Sequence, residues 1–406
     1  MGMYVPLGPF HPAFKEPLSI KIKIEGETIV DAEIDMGYNH RGIEKILEKR
    51  LWVSVPFIAE HICGICSGVH QMTAIMGIER IYDIEDKIPE RAIWIRVLGL
   101  ELERIHSHLL WLGIALHEAG FDTIFMLTWR DRERVLDVLE ILGGRRVVYS
   151  IGRVGGVRYD VDDKTKKMII DVANFIRERC KVYKKYFEED PTLLARFRNV
   201  SVLPTSVAKG LNTVGPTARA SNVPYDIREE DGYYIYGPDI GYRTIVRKEC
   251  DAFAKVMVRI EEVEVSADII EHIAKNLPSG PIEIKPKVPH MKAPAPGEVI
   301  ARMEAPRGEL FYYYKSDGKP YPYRVKVRTP TLSNILSVAY MAKGEYIADV
   351  PVTFASIDPC IACMERVLII DDGKNRKPKR MTWSELIRYS KKWFKQNLSW
   401  LKQERL

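Results

Sequence analysis

Four cysteines of this 406-residue chain stand in two CxxC pairs, and their spacing suits metal chemistry. Cys63 and Cys66 lie in the stretch EHICGICSGVH, and Cys360 and Cys363 lie in SIDPCIACMER. A CxxC spacing lets two thiolates face one soft or borderline metal ion. The two pairs can therefore supply four sulfur ligands to a single centre, if the fold brings them together.

The spacing alone leaves other interpretations open. A structural zinc site is possible, but zinc ribbons usually place their pairs within roughly 15–20 residues of each other, and 293 residues separate Cys66 from Cys360. A thioredoxin-like dithiol would need a βαβ context, which the sequence lacks. The two pairs could also be unrelated and never meet. Cys180 and Cys250 stand alone, and we expect them to be helix-face residues.

Composition and charge narrow the class of protein. Six cysteines in a chain of this length do not form a disulfide framework. The N-terminal stretch MGMYVPLGPF has no basic region followed by an apolar one, and no run approaches 18 uncharged apolar residues. We therefore expect a cytoplasmic protein without a transmembrane helix. The net charge of +6 comes from residues 367–406, which carry +7, so the near-neutral remainder does not favour nucleic-acid binding.

Hydrophobic periodicity predicts a mainly α protein with small antiparallel sheets, an α+β class with a helical core. Apolar residues alternate in 18–38, which predicts a β-hairpin, and again in 301–328, which predicts a second small sheet. Helical spacing covers most of the remainder. The predicted helices are a pair within 41–81 and single helices at 89–119, 128–142, 161–189, 249–277 and 330–349, with irregular chain at 190–248.

The flanks of the cysteine pairs resemble a known family. RGIEK, CGIC and a following histidine, together with DPCIACMER, resemble the large subunit of [NiFe] hydrogenases. The detail is most similar to the energy-converting, membrane-associated class, which is related to the quinone-site (49 kDa-type) subunit of respiratory complex I. Supporting stretches occur in family order along the chain: GPFHPAFKEP, GYNHRGIEK, ELERIHSHLLWLG, GRVGGVRYD, VGPTARAS and EAPRGEL. The complex I subunit lacks the four cysteines, so their presence favours the hydrogenase branch.

The resemblance implies a ligand set and a cofactor. Nickel would be bound by Cys63, Cys66, Cys360 and Cys363, and the second cysteine of each pair would also bridge to an iron that carries cyanide and carbon monoxide. Such a centre cleaves or forms H2 heterolytically, with a metal as Lewis acid and a terminal thiolate as base. Four thiolates in a buried site also need a metal centre to neutralise their charge.

The resemblance implies catalytic roles for Glu16 and Arg307, and Asp358 is a third candidate from its position next to the second cysteine pair. Glu16, in FKEP, matches the family's proton-relay glutamate, although by its neighbours alone it would be a solvated turn residue. Arg307, in APRG, matches an arginine that holds its guanidinium over the open side of the metals. Asp358 precedes Pro359 and Cys360, and it could bond to Arg307, orient the cysteine loop or cap the following turn.

Other residues near the motifs have weaker signals. Glu44 matches a family glutamate that supports a second metal or a hydrogen-bond network, and by itself would be a solvated helix-face carboxylate. His70 follows Cys66 by four residues, so on a helix it would lie over that sulfur. A satisfied core histidine is an equal alternative. His106 and His108 lie in an apolar helix and are expected to pack rather than to bind metal.

The resemblance also implies partners. A small iron–sulfur subunit would face this chain at His11, His40 and Arg41, and its nearest [4Fe-4S] cluster would deliver electrons. The cluster must belong to a partner because all four motif cysteines of this chain are already committed to the nickel site. Membrane subunits of a complex I-like, antiporter-like assembly would hold the pair on the cytoplasmic face of the membrane. One departure concerns His61, where relatives commonly have an arginine two residues before the first cysteine.

The C-terminal extension, residues 367–406, has its own pattern. Family maturation usually cuts after the basic residue that follows the last cysteine pair, here Arg366, so a maturation endopeptidase would be a further partner if the tail is processed. The stretch from Thr382 onward has apolar residues at helical spacing and three tryptophans. It predicts a basic amphipathic helix that could dock on a protein or lie on a membrane surface.

The function that the resemblance implies is reversible H2 formation, coupled by a membrane complex to ion movement. The alternative is a complex I-like redox subunit that reduces a sulfur compound or a quinone. A zinc-stabilised scaffold without chemistry is a third hypothesis. Metal analysis separates these hypotheses: nickel together with iron supports either redox function, whereas zinc alone supports the scaffold.

Overall fold

We describe a computed structural model of the chain, which covers residues 2–285 and 292–364 and five single positions beyond them (388, 389, 391, 392 and 396). The described residues up to 364 belong to one compact unit. The cleavage position after Arg366 and nearly all of the predicted amphipathic helix lie outside the described residues.

A three-stranded antiparallel sheet opens the chain. Its strands are β1 (Met3–Leu7), β2 (Ser19–Glu25) and β3 (Thr28–Asp35), in the order β1-β2-β3. Alternate residues of β2 are buried: Ile20, Ile22 and Ile24. The hairpin that the alternation predicts is thus present, and the sequence analysis missed β1. This edge strand contains Pro6, which cannot donate a ladder hydrogen bond, so its pattern is a weak strand signal.

Helices make up most of the described chain. Their bounds are α1 (Ile43–Leu47), α2 (Val55–Ala59), α3 (Ser67–Ile81), α4 (Glu90–Glu118), α5 (Asp122–Gly143), α6 (Asp163–Glu189), α7 (Pro191–Phe197), α8 (Thr205–Gly210), α9 (Gly215–Arg219), α10 (Ile227–Glu230), α11 (Ala252–Asn276), α12 (Pro330–Ala342), α13 (Val350–Ser356) and α14 (Ile361–Met364). The remaining strands are β4 (Gly152–Arg153), β5 (Gly156–Val157), β6 (Gly297–Ala305), β7 (Gly308–Ser316) and β8 (Arg324–Arg328). The mainly α class with small antiparallel sheets is confirmed.

Helix α4 is the centre of the core. It packs against α5, α11 and α13, while α3 packs on strands β6 and β7 of the second three-stranded sheet. Several charged residues of α4 are buried with a partner, as when Arg96 bonds Glu79 at 2.6 Å. A buried charged group needs an ion-pair or hydrogen-bond partner. The charged residues in the apolar sequence of α4 therefore have partners on the elements that surround this helix.

Two predicted helices have different bounds in the structure. Helix α5 begins at Asp122, six residues before the predicted start, and α12 ends at Ala342 instead of 349. The early end of α12 has a tertiary cause. Gly344, at φ +88°, turns the chain so that its N–H donates to Ile29 O and Glu345 O accepts from Ile29 N. Pairing with the N-terminal hairpin therefore replaces further helix.

No helix in the described part of the chain combines the length and the apolarity that crossing a bilayer requires.

Candidate functional site

The first cysteine pair lies where the chain enters a buried helix. Cys63 is in the loop after α2, and Cys66 is the residue directly before α3. The backbone N–H groups of Ile65 and Cys66 both donate to Cys63 Sγ at 3.3 Å. The loop therefore points two amide dipoles at one sulfur, an arrangement that stabilises a thiolate.

The second pair lies in a turn that leads into the short helix α14. Asp358 adopts a left-handed φ of +55°, which turns the chain before Pro359. The N–H of Cys360 donates to Thr331 Oγ1 at 3.2 Å, and the N–H of Cys363 donates to Cys360 O at 3.2 Å. Both sulfurs of this pair are therefore held on a turn that α12 supports.

The fold brings the two pairs together. Cys63 Sγ lies 3.4 Å from Cys360 Sγ, and Cys360 Sγ lies 2.9 Å from Cys363 Sγ. The sulfurs of Cys63, Cys66 and Cys363 all lie within 4.8 Å of one another. All four residues are buried. Four sulfurs this close can bind one ion, because metal–sulfur bonds of about 2.3 Å need sulfur neighbours at such separations.

Simultaneous ionisation of all four thiols is unfavourable in the absence of a metal. The pKa of Cys63 lies well below the usual value because Cys360 and its other thiol neighbours donate to that sulfur. Burial, together with contact with the other sulfurs, raises the pKa of Cys363 well above the usual value. Burial and the neighbouring sulfurs therefore oppose ionisation of the remaining thiols. Full deprotonation needs a cation in the cluster, so the donor set fits a thiolate-bound metal.

Arg307 and Asp358 form a buried pair beside the sulfurs. The guanidinium donates from Nη2 to Asp358 Oδ1 at 2.7 Å, from Nε to Asp358 O at 2.8 Å and from Nη1 to Ser107 Oγ at 3.2 Å. Burial is the largest influence on its pKa and lowers it, but Asp358 and the nearby sulfurs raise that pKa well above the usual value. Arg307 is therefore a fixed cation at the cysteine centre.

Two glycines explain how Arg307 reaches this place. It sits in the β6–β7 turn, followed by Gly308 at φ +125°, and the turn packs against Gly215 at φ +68°. A Cβ on Gly215 would lie 2.4 Å from Arg307 O. The side chain of Asn334 fastens the same junction, accepting from Val214 N at 2.9 Å. The stretches APRG and VGPTARAS thus meet as one backbone contact.

Glu16 lies on the other side of the second cysteine pair. Its Oε2 accepts a hydrogen bond from the backbone N–H of Ala362 at 2.9 Å. Burial is the largest influence on its pKa and raises it, with a smaller contribution from the charge of Cys63. A carboxyl group so placed holds its proton more tightly than one in water.

A cavity of about 300 Å³ connects these residues. Glu16, Cys63, Arg307, Asp358 and Cys360 all line it, and apolar side chains complete its wall: Ile65, Leu110, Trp111, Ile114 and Phe354. Lys15, whose side chain is 47% exposed, and Glu118 also line it, and they pair at 2.8 Å. The cysteine centre therefore has a largely apolar approach with acidic and basic groups at defined points.

His70 contacts the cluster through a different sulfur from the one that helical spacing suggests. Its Nε2 lies 3.7 Å from Cys363 Sγ, and its Nδ1 is 2.8 Å from Tyr312 Oη. Burial lowers the pKa of His70 to about 4, so the ring is neutral at pH 7. The neutral ring can hold only one of these contacts as donor.

Glu44 belongs to a hydrogen-bonded edge of the second sheet. Its carboxylate accepts from Val327 N at 3.0 Å and pairs with Lys326 at 3.0 Å. These contacts tie α1 to β8. The role as support for a second metal or a network remains a prediction.

His106 and His108 are buried and hydrogen-bonded to charged side chains. Arg132 Nε donates to His106 Nδ1 at 2.7 Å, and His108 Nε2 lies 2.9 Å from Glu262 Oε2. Burial, with smaller contributions from neighbouring arginines, lowers the pKa of His106 well below the usual value. Both rings have core partners, as their place in an apolar helix suggests.

The spacing of the sequence did not reveal Glu103 as a residue of the site. Glu103 of α4 accepts from Gly68 N and from Val69 N at 2.9 Å, and Tyr149 Oη donates to it. The carboxyl group thereby caps the start of α3, directly after Cys66. Burial raises its pKa to about 7. A carboxylate inside an apolar helix was the available signal, but nothing in the spacing named its partner.

Three residues are predicted to face a partner subunit: His11, His40 and Arg41. Of these, Arg41 contacts the cysteine loops, and His40 is exposed. Arg41 is exposed and bonds to backbone carbonyls of both loops. His61 is 58% exposed, and its Nδ1 lies 2.7 Å from Phe57 O. His11 Nδ1 accepts from Ala13 N at 3.2 Å. The imidazole of His61 therefore lies at the surface next to the first cysteine pair.

Two protein-family models match the chain. The Respiratory-chain NADH dehydrogenase, 49 Kd subunit family matches residues 118–294 and 287–366. The Nickel-dependent hydrogenase family matches residues 41–121, which include the first cysteine pair.

Individual proteins extend these matches over nearly the whole chain. The membrane-bound hydrogenase subunit alpha of Pyrococcus furiosus is 41% identical over 382 residues, which cover 91% of this chain and 89% of that protein. A subunit of the F(420)H(2) dehydrogenase of Methanosarcina mazei is 39% identical over 369 residues, with 90% and 98% covered. The solved structure of the membrane-bound sulfane sulfur reductase, an archaeal respiratory membrane complex, is similar with a TM-score of 0.85 and 32% identity, and covers 90% of this chain and 98% of its own. The chain therefore belongs to the family of large subunits that includes membrane-bound hydrogenases and the 49 kDa subunit of respiratory-chain NADH dehydrogenase.

Proposed function

We propose that this chain is the catalytic subunit of a [NiFe] hydrogenase that interconverts H2 with two protons and two electrons. The observation that carries the proposal is the convergence of four buried cysteine sulfurs from opposite ends of the chain. Nickel, with an iron that carries cyanide and carbon monoxide, would be bound by Cys63, Cys66, Cys360 and Cys363, and it supplies the redox and Lewis-acid chemistry when bound.

The chain's own groups suit proton transfer at such a centre. Glu16 lines the same cavity as Cys63 and bonds to the loop between Cys360 and Cys363. Its raised pKa brings the carboxyl group nearer to the range in which a group can both accept and release a proton. We infer that Glu16 exchanges protons between the sulfur centre and the cavity.

Arg307 supplies a permanent positive charge at the cavity wall. Its hydrogen bonds to Asp358 and Ser107 fix the guanidinium in one orientation, so the charge costs no reorganisation when negative charge develops nearby. We infer that Asp358 holds Arg307 in place and that Arg307 orients and polarises the substrate. Their burial keeps this field strong because water does not screen it.

Electrons and energy coupling require other chains. All four motif cysteines converge in one cluster, so we infer that a small iron–sulfur subunit with a [4Fe-4S] cluster exchanges electrons with it. One relative is named as a membrane-bound hydrogenase, and the similar solved structure is a respiratory membrane complex. We infer that this chain is a peripheral subunit on the cytoplasmic face of such a complex, where the reaction drives ion translocation.

A second candidate is the reduction of a sulfur compound. The cavity of about 300 Å³ is much larger than H2 needs, and the similar solved structure is a sulfane sulfur reductase. Arg307 would then bind an anionic polysulfide, and the apolar wall would accommodate its sulfur chain. This candidate uses the same four cysteines, with Glu16 and Arg307 as the polar groups of the site.

Metal analysis and two assays on the purified native complex test both candidates. Nickel and iron bound together support both, whereas zinc alone overturns both and leaves a scaffold. H2 formation from reduced methyl viologen supports the hydrogenase. Viologen oxidation that needs polysulfide, without H2, supports the sulfur reductase and overturns the hydrogenase.

A further inference from the structure

One surface arginine joins the two loops that carry the cysteines. Arg41 donates from Nη1 to His61 O at 3.0 Å and from Nη2 to Ile62 O at 2.7 Å. The same Nη2 donates to Ala362 O at 3.0 Å. His61 and Ile62 directly precede Cys63, and Ala362 directly precedes Cys363. A single guanidinium thus bonds to segments that lie far apart in the sequence, since Arg41 and Ala362 are separated by 321 positions.

The backbone of Ala362 forms hydrogen bonds with two side chains. Ala362 O accepts from Arg41, and Ala362 N donates to Glu16 at 2.9 Å. Helix α14, which contains Cys363, has only four residues and cannot be stable by its own hydrogen bonds. The position of Cys363 therefore depends on contacts with the N-terminal part of the chain.

The chemistry of these contacts requires arginine. Three carbonyl oxygens on two segments must be reached from one side chain, and the planar guanidinium presents five donors in a fixed fork. A lysine ammonium carries the same charge but is a compact group on a flexible stem. Charge and bridging geometry can therefore be separated by substitution at this position.

We propose that Arg41 is a positioning residue that sets the separation between the two cysteine loops and so prepares the four sulfurs for a metal. The metal-binding consequence rests on the proposed function, whereas the clamping of the loops does not. Without Arg41 the loop of Cys63 loses two anchoring bonds and the loop of Cys363 loses one. The sulfurs then lose their fixed spacing while the helical core stays folded.

Alkylation of the full-length, metal-free chain measures the clamp directly. Wild type, Arg41→Ala and Arg41→Lys are treated with iodoacetamide, and mass spectrometry follows each cysteine. Buried Cys180 reports on the core, and half-buried Cys250 reports on the reagent. The matched control is Arg80→Ala. Arg80 also bonds a backbone carbonyl, that of Ile300 at 2.8 Å, but lies at the far end of α3, about 20 Å along the helix from Cys66.

The expected result is a rise of about tenfold or more in the labelling rates of Cys63 and Cys363 in both Arg41 variants. Cys180 stays protected, and Arg80→Ala labels as wild type does. Wild-type labelling rates in Arg41→Ala overturn the proposal. Wild-type rates in Arg41→Lys alone overturn the geometric argument, since charge would then suffice. Parallel opening of Cys180 in both variants also overturns it, because Arg41 would then support the whole fold.

A nickel titration extends the test to the metal site. Ni²⁺ alone is added to each metal-free chain, and sulfur-to-nickel charge-transfer absorption reports binding. We expect the apparent Kd to rise at least about tenfold in Arg41→Ala and Arg41→Lys. Failure of the wild-type chain to bind nickel would count against the proposed function while leaving the labelling result intact. Unchanged nickel affinity in the variants would overturn the preparatory role of Arg41.

Discussion

The Sγ atoms of Cys63 and Cys360 lie 3.4 Å apart, although 297 positions separate the two residues in the sequence. If these sulfurs bind nickel as we propose, serine in place of either cysteine supplies only a hydroxyl group, which binds soft metals poorly. We expect Cys360→Ser to reduce the nickel content of the purified complex at least about tenfold, as measured by mass spectrometry of the metals. Cys250→Ser is the control and should keep the wild-type content; equal nickel in both variants would contradict the ligand assignment.

Glu16 should be needed for turnover but not for metal binding. The change Glu16→Gln keeps an oxygen that can accept from Ala362 N, but it removes the titrating proton. We expect kcat to fall about 10²–10⁴-fold in the H2/viologen assay, with unchanged nickel content. Glu118→Gln, in the wall of the same cavity but paired with Lys15, is the matched control and should stay near wild type. A Glu16→Gln enzyme with wild-type kcat would rule out the relay.

Arg307 should resist conservative replacement. A lysine cannot reproduce the contacts of the guanidinium with both Asp358 and Ser107, so the positive charge would lose its fixed direction. We expect Arg307→Lys to lower kcat about 10²–10³-fold while the complex keeps its metals. The exposed Arg158→Lys serves as control. Full activity in Arg307→Lys would contradict this role, because it would show that any cation at residue 307 suffices, whatever its orientation.

Gly215 should be intolerant of a side chain. Its φ is +68°, and an added Cβ would lie 2.4 Å from Arg307 O. We expect Gly215→Ala to lower the free energy of unfolding by about 1–3 kcal/mol, because strain and overpacking act together. Gly210→Ala, where a Cβ meets nothing within 4 Å, is the control and should be near neutral. Urea unfolding of the full-length chain measures both, and equal stabilities would refute the close backbone contact.

Glu103 should make stability depend on pH. Burial raises its folded-state pKa to about 7, whereas an unfolded glutamate titrates near ~4.3. Because the folded state binds this proton more tightly, the contribution is complete below about pH 4 and is lost as the pH rises to about 7. The full effect is roughly 4 kcal/mol.

The change Glu103→Gln should remove that dependence. The comparison is made on the metal-free chain by denaturant unfolding at pH 5 and pH 7.5. His70, with a pKa of about 4, contributes in the opposite direction but equally in both chains, so it cancels in the difference. Exposed Glu25→Gln is the control. A Glu103→Gln chain with the wild-type pH dependence would contradict the raised pKa.

Much of the fold could be predicted because its signals are local. The alternation that buries Ile20, Ile22 and Ile24 predicted the hairpin, and helical periodicity located α4, α6 and α11 within a few residues. The predicted bounds were wrong where contacts with a distant part of the chain determine the end of a helix. Helix α12 stops at Ala342 because Gly344 and Glu345 pair with Ile29, some 315 positions earlier in the sequence.

The same division holds for the site. The sequence named the four cysteines, Glu16, Arg307 and Asp358 because CxxC spacing and family motifs are written in neighbouring residues. It did not reveal Glu103, Tyr312 or the bridging contacts of Arg41. Their partners lie 34, 242 and 321 positions away, and side chains of ordinary type carry no signal of such contacts.

The sequence by itself determined which side chains are available and which faces of the helices must be buried, because periodicity and residue chemistry act over short range. Only the tertiary structure decided that Cys63 meets Cys360, that the pKa of Cys63 lies below its usual value and that Arg307 and Glu16 line one cavity. The physical reason is that burial, distance and electrostatic coupling arise when distant segments pack, and each of them depends on neighbours that spacing along the chain does not specify.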